Sequence, residues 1–172
     1  MSLTLLDSAV ANNDAYVDLG KTANWDSSFN TYMVVIRNGE TVNDATNILA
    51  RVLVSDSVQS SAIYQVTGLT LQSDSNAIVT KGEGQTYMNI QSNSGTGTQE
   101  ITNSEIILFN MNSSSYYKYW FSNQTAINSN SVVQGRTVGG VWESTSACNG
   151  VRLFALSGNI ASGKFLLYGY SK

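Results

Sequence analysis

Residues Cys148–Tyr170 read CNGVRLFALSGNIASGKFLLYGY. Two apolar runs of strand length, Gly150–Leu156 and Lys164–Tyr170, flank the turn-forming triplet Ser157-Gly158-Asn159. Apolar runs that are bounded by Gly, Asn and Ser are typical of neighbouring β-strands. The stretch therefore predicts a hairpin that closes a sheet.

Similar segments recur along the whole chain. Few windows have a helical period, whereas short apolar or alternating stretches are separated by Gly, Asn, Ser and Asp. This spacing predicts an all-β protein, an antiparallel β-sandwich of about ten strands. The most plausible place for a helix is Thr41–Asn47. The candidate strands are Leu3–Leu6, Ala15–Leu19, Phe29–Arg37, Ile48–Ser55, Ala62–Leu71, Gln85–Gln91, Glu105–Met111, Tyr116–Ser122, Ser131–Trp142, Gly150–Leu156 and Lys164–Tyr170.

Two further patterns concern turns and strand faces. Asn38-Gly39 fits a two-residue hairpin turn with positive φ, and Lys81–Gly84 and Asn93–Gly97 suit flexible connections. Phe29–Arg37 is largely apolar on both faces, which indicates a central strand covered by the opposite sheet or by a neighbouring subunit. Arg51, a lone charge in its strand, is expected to pair with a carboxylate at a sheet margin.

Length and composition indicate one domain that spans residues 1–172. The chain is 42% hydrophobic and holds nine Tyr, five Phe and three Trp, which is ample material for a core. A chain of this length buries about 70% of its unfolded surface when it folds as one unit.

Composition also excludes several classes of function. The chain has no His, so the Ser-His-Asp and Cys-His arrangements and the usual zinc ligand sets cannot be built. A net charge of −3 without any Lys/Arg cluster argues against binding to nucleic acid. No stretch approaches the roughly 20 apolar residues that a membrane helix needs, and Met1–Asp7 has no features of an export signal. The single Cys148 cannot form an internal disulfide and is expected to be a small buried residue.

The carboxylates give no catalytic or metal-binding pattern. A glycosidase needs two carboxylates facing each other across a cleft, which a sequence cannot show. Solvated turn and edge positions are the favoured interpretation, and Asp14-x-x-x-Asp18 lacks the alternating oxygen ligands of calcium loops. We therefore predict no catalytic residues, no cofactor and no metal. The carboxylates considered are Asp14, Asp18, Asp26, Glu100 and Glu105.

The segment Tyr116–Phe121 is the sharpest aromatic cluster in the chain. On a strand, one face carries Tyr116, Lys118 and Trp120, and the other carries Tyr117, Tyr119 and Phe121. One set could be buried while the other offers an exposed surface for a sugar ring or a protein partner. Burial of both sets, one of them at a subunit contact, is the favoured alternative. The candidate contact residues are Tyr116, Lys118 and Trp120.

The segment Ser146–Tyr170 resembles the end of small jelly-roll virion structural proteins of tailed bacteriophages. The likeness lies in Asn149-Gly150 followed by Val151-Arg152, and in the final Leu167-Tyr168-Gly169; Lys164 and Tyr170 depart from the pattern. The resemblance implies a jelly-roll-like sandwich that assembles, commonly as a homotrimer, on the outside of the particle. Such proteins serve as capsid decoration or cement proteins, head fibres, or tail-fibre knobs.

Three functions follow as expectations. The first is a non-enzymatic capsid decoration or cement subunit that contacts itself and the major capsid protein or tail proteins. A chain of 172 residues beginning at Met1 is expected to leave no room for a long fibrous shaft. The alternative is a tail- or head-fibre module that recognises a host surface glycan. A small glycan hydrolase or lyase is the least favoured. The expected location is the outer surface of the virion, after synthesis in the host cytoplasm.

Overall fold

In a computed structural model that describes residues 2–170, the chain is almost entirely β-structure. One short helix, α1 (Lys21–Asn24), follows β2. The strands of the described part are β1 (Leu3–Asp14), β2 (Val17–Gly20), β3 (Thr31–Thr41), β4 (Ile48–Val54), β5 (Ser57–Val58), β6 (Tyr64–Gln72), β7 (Ser75–Gln85), β8 (Thr102–Phe109), β9 (Lys118–Ile127), β10 (Val133–Trp142), β11 (Gly150–Ala155) and β12 (Ile160–Tyr170).

The strands form two antiparallel sheets. The large sheet has eight strands in the order β1-β12-β3-β8-β9-β10-β6-β7, and the small sheet has four in the order β2-β11-β4-β5. The chain alternates between the sheets from β1 to β4, returns to the large sheet at β6, and crosses to the small sheet for β11 and back for β12. This winding places β1-β12-β3-β8 opposite β2-β11-β4-β5, which is the arrangement of a jelly roll. Strands β9, β10, β6 and β7 extend the large sheet, and the predicted fold class is confirmed.

The two strands of the closing segment do not form the predicted hairpin. Strand β11 pairs with β2 and β4 in the small sheet, whereas β12 pairs with β1 and β3 in the large sheet. Both strands turn buried side chains toward the same core, for example Leu153 from β11 and Phe165 from β12, each with no exposed surface. The two apolar runs therefore lie in opposite layers of the sandwich. They contact the same core from its two sides and do not pair with each other.

Two of the predicted turns lie inside strands. Asn38 does adopt a positive φ of 50°, but the register of β3 shifts between Ile36 and Gly39, so the pair forms a bulge instead of a hairpin turn. The predicted connection Lys81–Gly84 belongs to β7, an edge strand that the sequence pattern did not reveal. An edge strand needs no continuous apolar face, and for that reason its pattern is weak.

Two other local predictions are wrong. Thr41–Asn47 is not helical: it ends β3 and then turns, with Ala45 at a φ of 54°. Most of Gln85–Gln91 is irregular, and Met88 makes only an isolated bridge to Ala50. Residues 86–94 nevertheless lie across the inner face of β9 and β10, where Ser122 Oγ donates to the Ile90 carbonyl at 3.1 Å. This covering segment completes the second layer where the small sheet is absent.

The apolar core fills the space between the two sheets. Tyr32, Tyr64 and Trp142 are among its largest fully buried side chains, and Trp25 stacks on Tyr32 with ring centroids 3.9 Å apart. Asn112 closes this end of the core, since its Oδ1 accepts from Trp25 Nε1 at 2.8 Å. Cys148 is buried with a free thiol, as expected, and burial raises its pKa to about 12.

Gly68 tests the packing of β6 against β10. A Cβ added at Gly68 would lie closer than 3.0 Å to the Thr137 carbonyl and to Val138. We expect Gly68→Ala to lower the free energy of unfolding by about 1–3 kcal/mol, because the backbone must shift to admit a methyl group. Urea denaturation measures the effect. Gly135→Ala is the matched control: a Cβ there has no atom within 4 Å, and equal losses at the two positions would contradict the packing described.

Candidate functional site

The outer face of the large sheet carries a continuous apolar surface. Register places Tyr168 beside Met33, Met33 beside Ile107, and Ile107 beside Phe121. A second row runs parallel to it, with Phe109 beside Tyr119. We call this surface the apolar band; its exposed and half-buried members are Leu3, Leu5, Ile107, Phe109, Tyr119, Phe121, Tyr168 and Tyr170, and Met33, only 7% exposed, lies between them in the middle of the band.

Several members of the apolar band are exposed to an unusual degree for their size. Leu5 is 53% exposed, Tyr119 49% and Phe109 39%. Single exposed apolar residues are common on proteins, but contiguous apolar patches usually mark a contact surface. The band crosses five neighbouring strands, β1, β12, β3, β8 and β9, and so is suited to contact with another macromolecule.

A groove lies beside the apolar band, over β10. We call it the glycine groove; it encloses about 810 Å³, and Gly139 and Gly140 lie at its floor. A Cβ at Gly140 would collide with the indole of Trp120, so packing beneath the sheet imposes glycine there. A Cβ at Gly139 would make only ordinary contacts, the nearest at 3.4 Å. The remaining lining residues are Gln65, Val66, Thr67, Lys81, Gly82, Glu83, Tyr119 and Val141.

The polar groups of the glycine groove carry both signs of charge. Gln65 Nε2 donates to Glu143 Oε1 at 2.6 Å, which fixes an amide and a carboxylate at one end. Lys81 and Glu83 are exposed, and neither forms an ion pair with any residue in 2–170. The groove therefore combines an aromatic ring, aliphatic surface and hydrogen-bonding groups without a strong excess of either charge.

The predicted contact residues are divided between surface and interior. Tyr116 is 67% exposed, as a contact residue must be, but Lys118 is 1% and Trp120 3% exposed. The predicted contact surface is therefore wrong for Lys118 and Trp120, since buried side chains cannot reach a partner. The exposed aromatic set is the other one, Tyr117, Tyr119 and Phe121.

Lys118 has a structural role in the interior. Its Nζ donates to the carbonyls of Ser113 at 2.6 Å and Tyr116 at 2.9 Å, which holds the connection before β9. Burial lowers the pKa of Lys118, because the charged form is separated from water. A buried amine that donates to backbone carbonyls does not take part in external recognition.

The polar inner face of β9 explains why Lys118 and Trp120 were wrongly predicted to be exposed. Strand β9 turns Ser122 and Gln124 inward, and both are buried. Gln124 Nε2 donates to Thr102 Oγ1 at 2.9 Å, and its Oε1 accepts from the Ser92 amide at 3.0 Å. The covering segment thus supplies partners for polar side chains that the sequence alone would assign to solvent.

For the glycine groove, the sequence contains one signal, the pair Gly139-Gly140.

The outer face of the small sheet is occupied by ion pairs and ring contacts. Arg152 makes a two-bond contact with Asp18 at 2.7 and 2.8 Å and lies over the Tyr16 ring at 3.5 Å. Arg51 does not pair with a carboxylate in the described part of the chain: its Nε donates to the Thr86 carbonyl at 2.9 Å, and its guanidinium stacks on Phe154. The margin ion pair expected of Arg51 is made by Arg152 instead.

Two cationic neighbours, Arg152 and Lys21, contact the carboxylate of Asp18. Burial alone would raise the pKa of Asp18, but hydrogen bonds from Arg152 and Lys21 outweigh it and hold that pKa below its ordinary value of 3.8. Asp14, Asp26 and Glu105 are exposed, and Glu100 accepts from the Gly97 amide in a turn. Within residues 2–170, no three His, Cys, Asp or Glu side chains are grouped closely enough to hold a metal ion.

Comparisons with protein-family models, curated proteins and solved structures find no match to this chain. No helix in the described part of the chain has the length and apolar character needed to span a bilayer.

Truncation of aromatic residues tests the orientation of β9. We expect Trp120→Ala to lower the free energy of unfolding by about 3–5 kcal/mol, because it empties a large buried site. Tyr119→Ala, at the neighbouring position on the opposite face of β9, should change it by less than about 1 kcal/mol, since that ring is half-exposed. Thermal and urea unfolding of both variants measure the difference. A reversal of this order would show that β9 faces the other way.

The Asp18–Arg152 pair predicts a specific dependence of stability on pH. A depressed carboxyl pKa stabilises the folded state above the ordinary value of 3.8, and that contribution is lost as the pH falls through the folded-state pKa. We expect Asp18→Asn to cost about 2 kcal/mol at neutral pH, because Arg152 loses its partner. The difference from the wild type should shrink toward about pH 2. Urea titrations across this range measure it, and Arg152→Met should show the same trend; a constant difference would contradict the assignment.

Proposed function

We propose that this protein is a non-enzymatic bacteriophage virion structural protein of the capsid decoration or cement type. It assembles on the outer surface of the particle, as a homotrimer, and contacts the major capsid protein or tail proteins. The observation that carries the proposal is the apolar band on the outer face of the large sheet. The resemblance of Ser146–Tyr170 to small jelly-roll virion proteins gives the setting.

The apolar band supports an assembly role through its composition and its position. It joins Leu, Phe and Tyr side chains across five adjacent strands without an intervening charge. Burial of apolar area against another subunit is the main favourable contribution in stable association. Half-exposed aromatic rings supply much of that area at a small entropy cost, and they are enriched at the centres of interfaces.

The absence of histidine from the sequence supports a function without bond-breaking chemistry. The two-bond ion pair between Asp18 and Arg152 joins β2 to β11 and stabilises the sandwich. Its groups already satisfy one another, and this is the pattern of a structural ion pair.

Charge substitutions in the apolar band test the proposal. We expect Phe109→Lys to weaken self-association and binding to particles by more than about tenfold, because a charge would be buried at the contact. Sedimentation equilibrium measures the assembly, and co-purification with particles that lack the native protein measures docking. Leu156→Lys is the control, since Leu156 is 54% exposed but lies between β11 and β12, outside the band.

The phenotype of particles without the protein separates the two main functions. Fragile particles that still adsorb to the host support the decoration role, whereas intact particles that fail to adsorb support a receptor-binding module. A monomeric protein that is absent from purified particles would overturn the proposal.

A further inference from the structure

We infer that the glycine groove is a binding site for a neutral saccharide. This inference goes beyond the structural role and does not depend on it, because a decoration subunit and a free protein would carry the same groove. The groove encloses about 810 Å³, within the usual range for small-ligand sites.

The floor and one wall of the groove suit the apolar face of a sugar ring. Gly139 leaves the floor without side chains, so a flat ligand can approach the strand closely. Tyr119 is 49% exposed, and its ring lines the groove beside Val141, its cross-strand neighbour. A pyranose ring presents C–H groups on its face, and these pack against aromatic and aliphatic surfaces.

The opposite wall suits the hydroxyl groups at the edge of the same ring. Gln65 Oε1 and the Thr67 hydroxyl can accept hydrogen bonds, while Lys81 donates and Glu83 accepts. Gln65 is already oriented by its bond to Glu143. Cation and carboxylates lie at the same groove, so neither a polyanion nor a polycation is favoured, and a neutral ligand with donors and acceptors fits best.

The backbone of the groove argues against an extended peptide. Strand β10 is paired with β9 on one side and with β6 on the other along its whole length. Its amides and carbonyls are therefore not available for the strand addition by which sheets capture peptides. Over β10, recognition therefore has to come from side chains, as it does for sugars; the free edge of the sheet lies on β7, at the margin of the groove.

Binding of defined saccharides tests the inference. The full-length protein is screened on an array of neutral glycans that includes maltohexaose, cellohexaose and chitohexaose, with dextran sulfate as the anionic comparison. Calorimetry then gives the affinity of each hit. We expect at least one neutral glycan to bind and dextran sulfate not to bind.

Two pairs of matched variants place the binding in the groove. Gly139→Val fills the floor, and we expect it to weaken binding by about tenfold or more, whereas Gly135→Val, on the same strand and face but outside the groove, should leave it within about twofold. Tyr119→Ala should also weaken binding by about tenfold, while Tyr117→Ala, an exposed tyrosine outside the groove, should not. Thermal unfolding of each variant confirms that the fold is retained.

The remaining outcomes overturn the inference. No binding of any neutral glycan would refute it and would leave the structural role untouched. Binding that is equally strong in Gly139→Val and the wild type would place the saccharide elsewhere. Loss of self-association in Gly139→Val, without saccharide binding by the wild type, would assign the groove to a second copy of this chain.

Discussion

The inward side chains of the large sheet must be covered, and the small sheet is only half as wide. The four strands of the small sheet cover β1, β12, β3 and β8, and the apolar core between these two layers contains Tyr32, Phe165 and Leu153. The remaining inner surface, on β9 and β10, is covered by the irregular residues 86–94. Buried backbone in such a segment needs hydrogen-bond partners, and the inward side chains of the two strands provide them.

The need of this backbone for hydrogen-bond partners explains why the inner face of β9 and β10 is polar. Gln91, Gln124 and Gln134 are nearly fully buried, and Gln134 Nε2 donates to the Ser92 carbonyl. Arg136 is 5% exposed and donates to Asn89, and burial lowers its pKa to about 10. These hydrogen bonds favour one register for the covering segment, because a displaced segment would lose them. The layer is only partly satisfied, since Gln91 Oε1, Gln134 Oε1 and Arg136 Nε make no hydrogen bond to the described residues.

The same polar layer determines what the outer face presents. Once Lys118, Ser122 and Gln124 point inward, the alternation of a strand directs Tyr119 and Phe121 outward. Tyr119 then belongs both to the apolar band and to the wall of the glycine groove. A contact surface and a ligand groove that share a side chain can influence each other, since a partner on the band would restrict the Tyr119 ring.

Local sequence patterns are enough to predict the class of fold and most of the strands. Alternating or continuous apolar runs, separated by Gly, Asn and Ser, are local signals, and they predict strands at Ile48–Ser55 and Gly150–Leu156, where the structure has β4 and β11. The edge strand β7 was missed, and the bulge at Asn38-Gly39 was predicted as a hairpin turn. In both places the same residue pattern fits a strand, a bulge or a turn. No local pattern encodes that β11 and β12 lie in opposite sheets, or that Trp120 faces inward while Tyr119 faces outward. Strand pairing and facing depend on which layer covers which face, and that layer comes from residues distant in the chain.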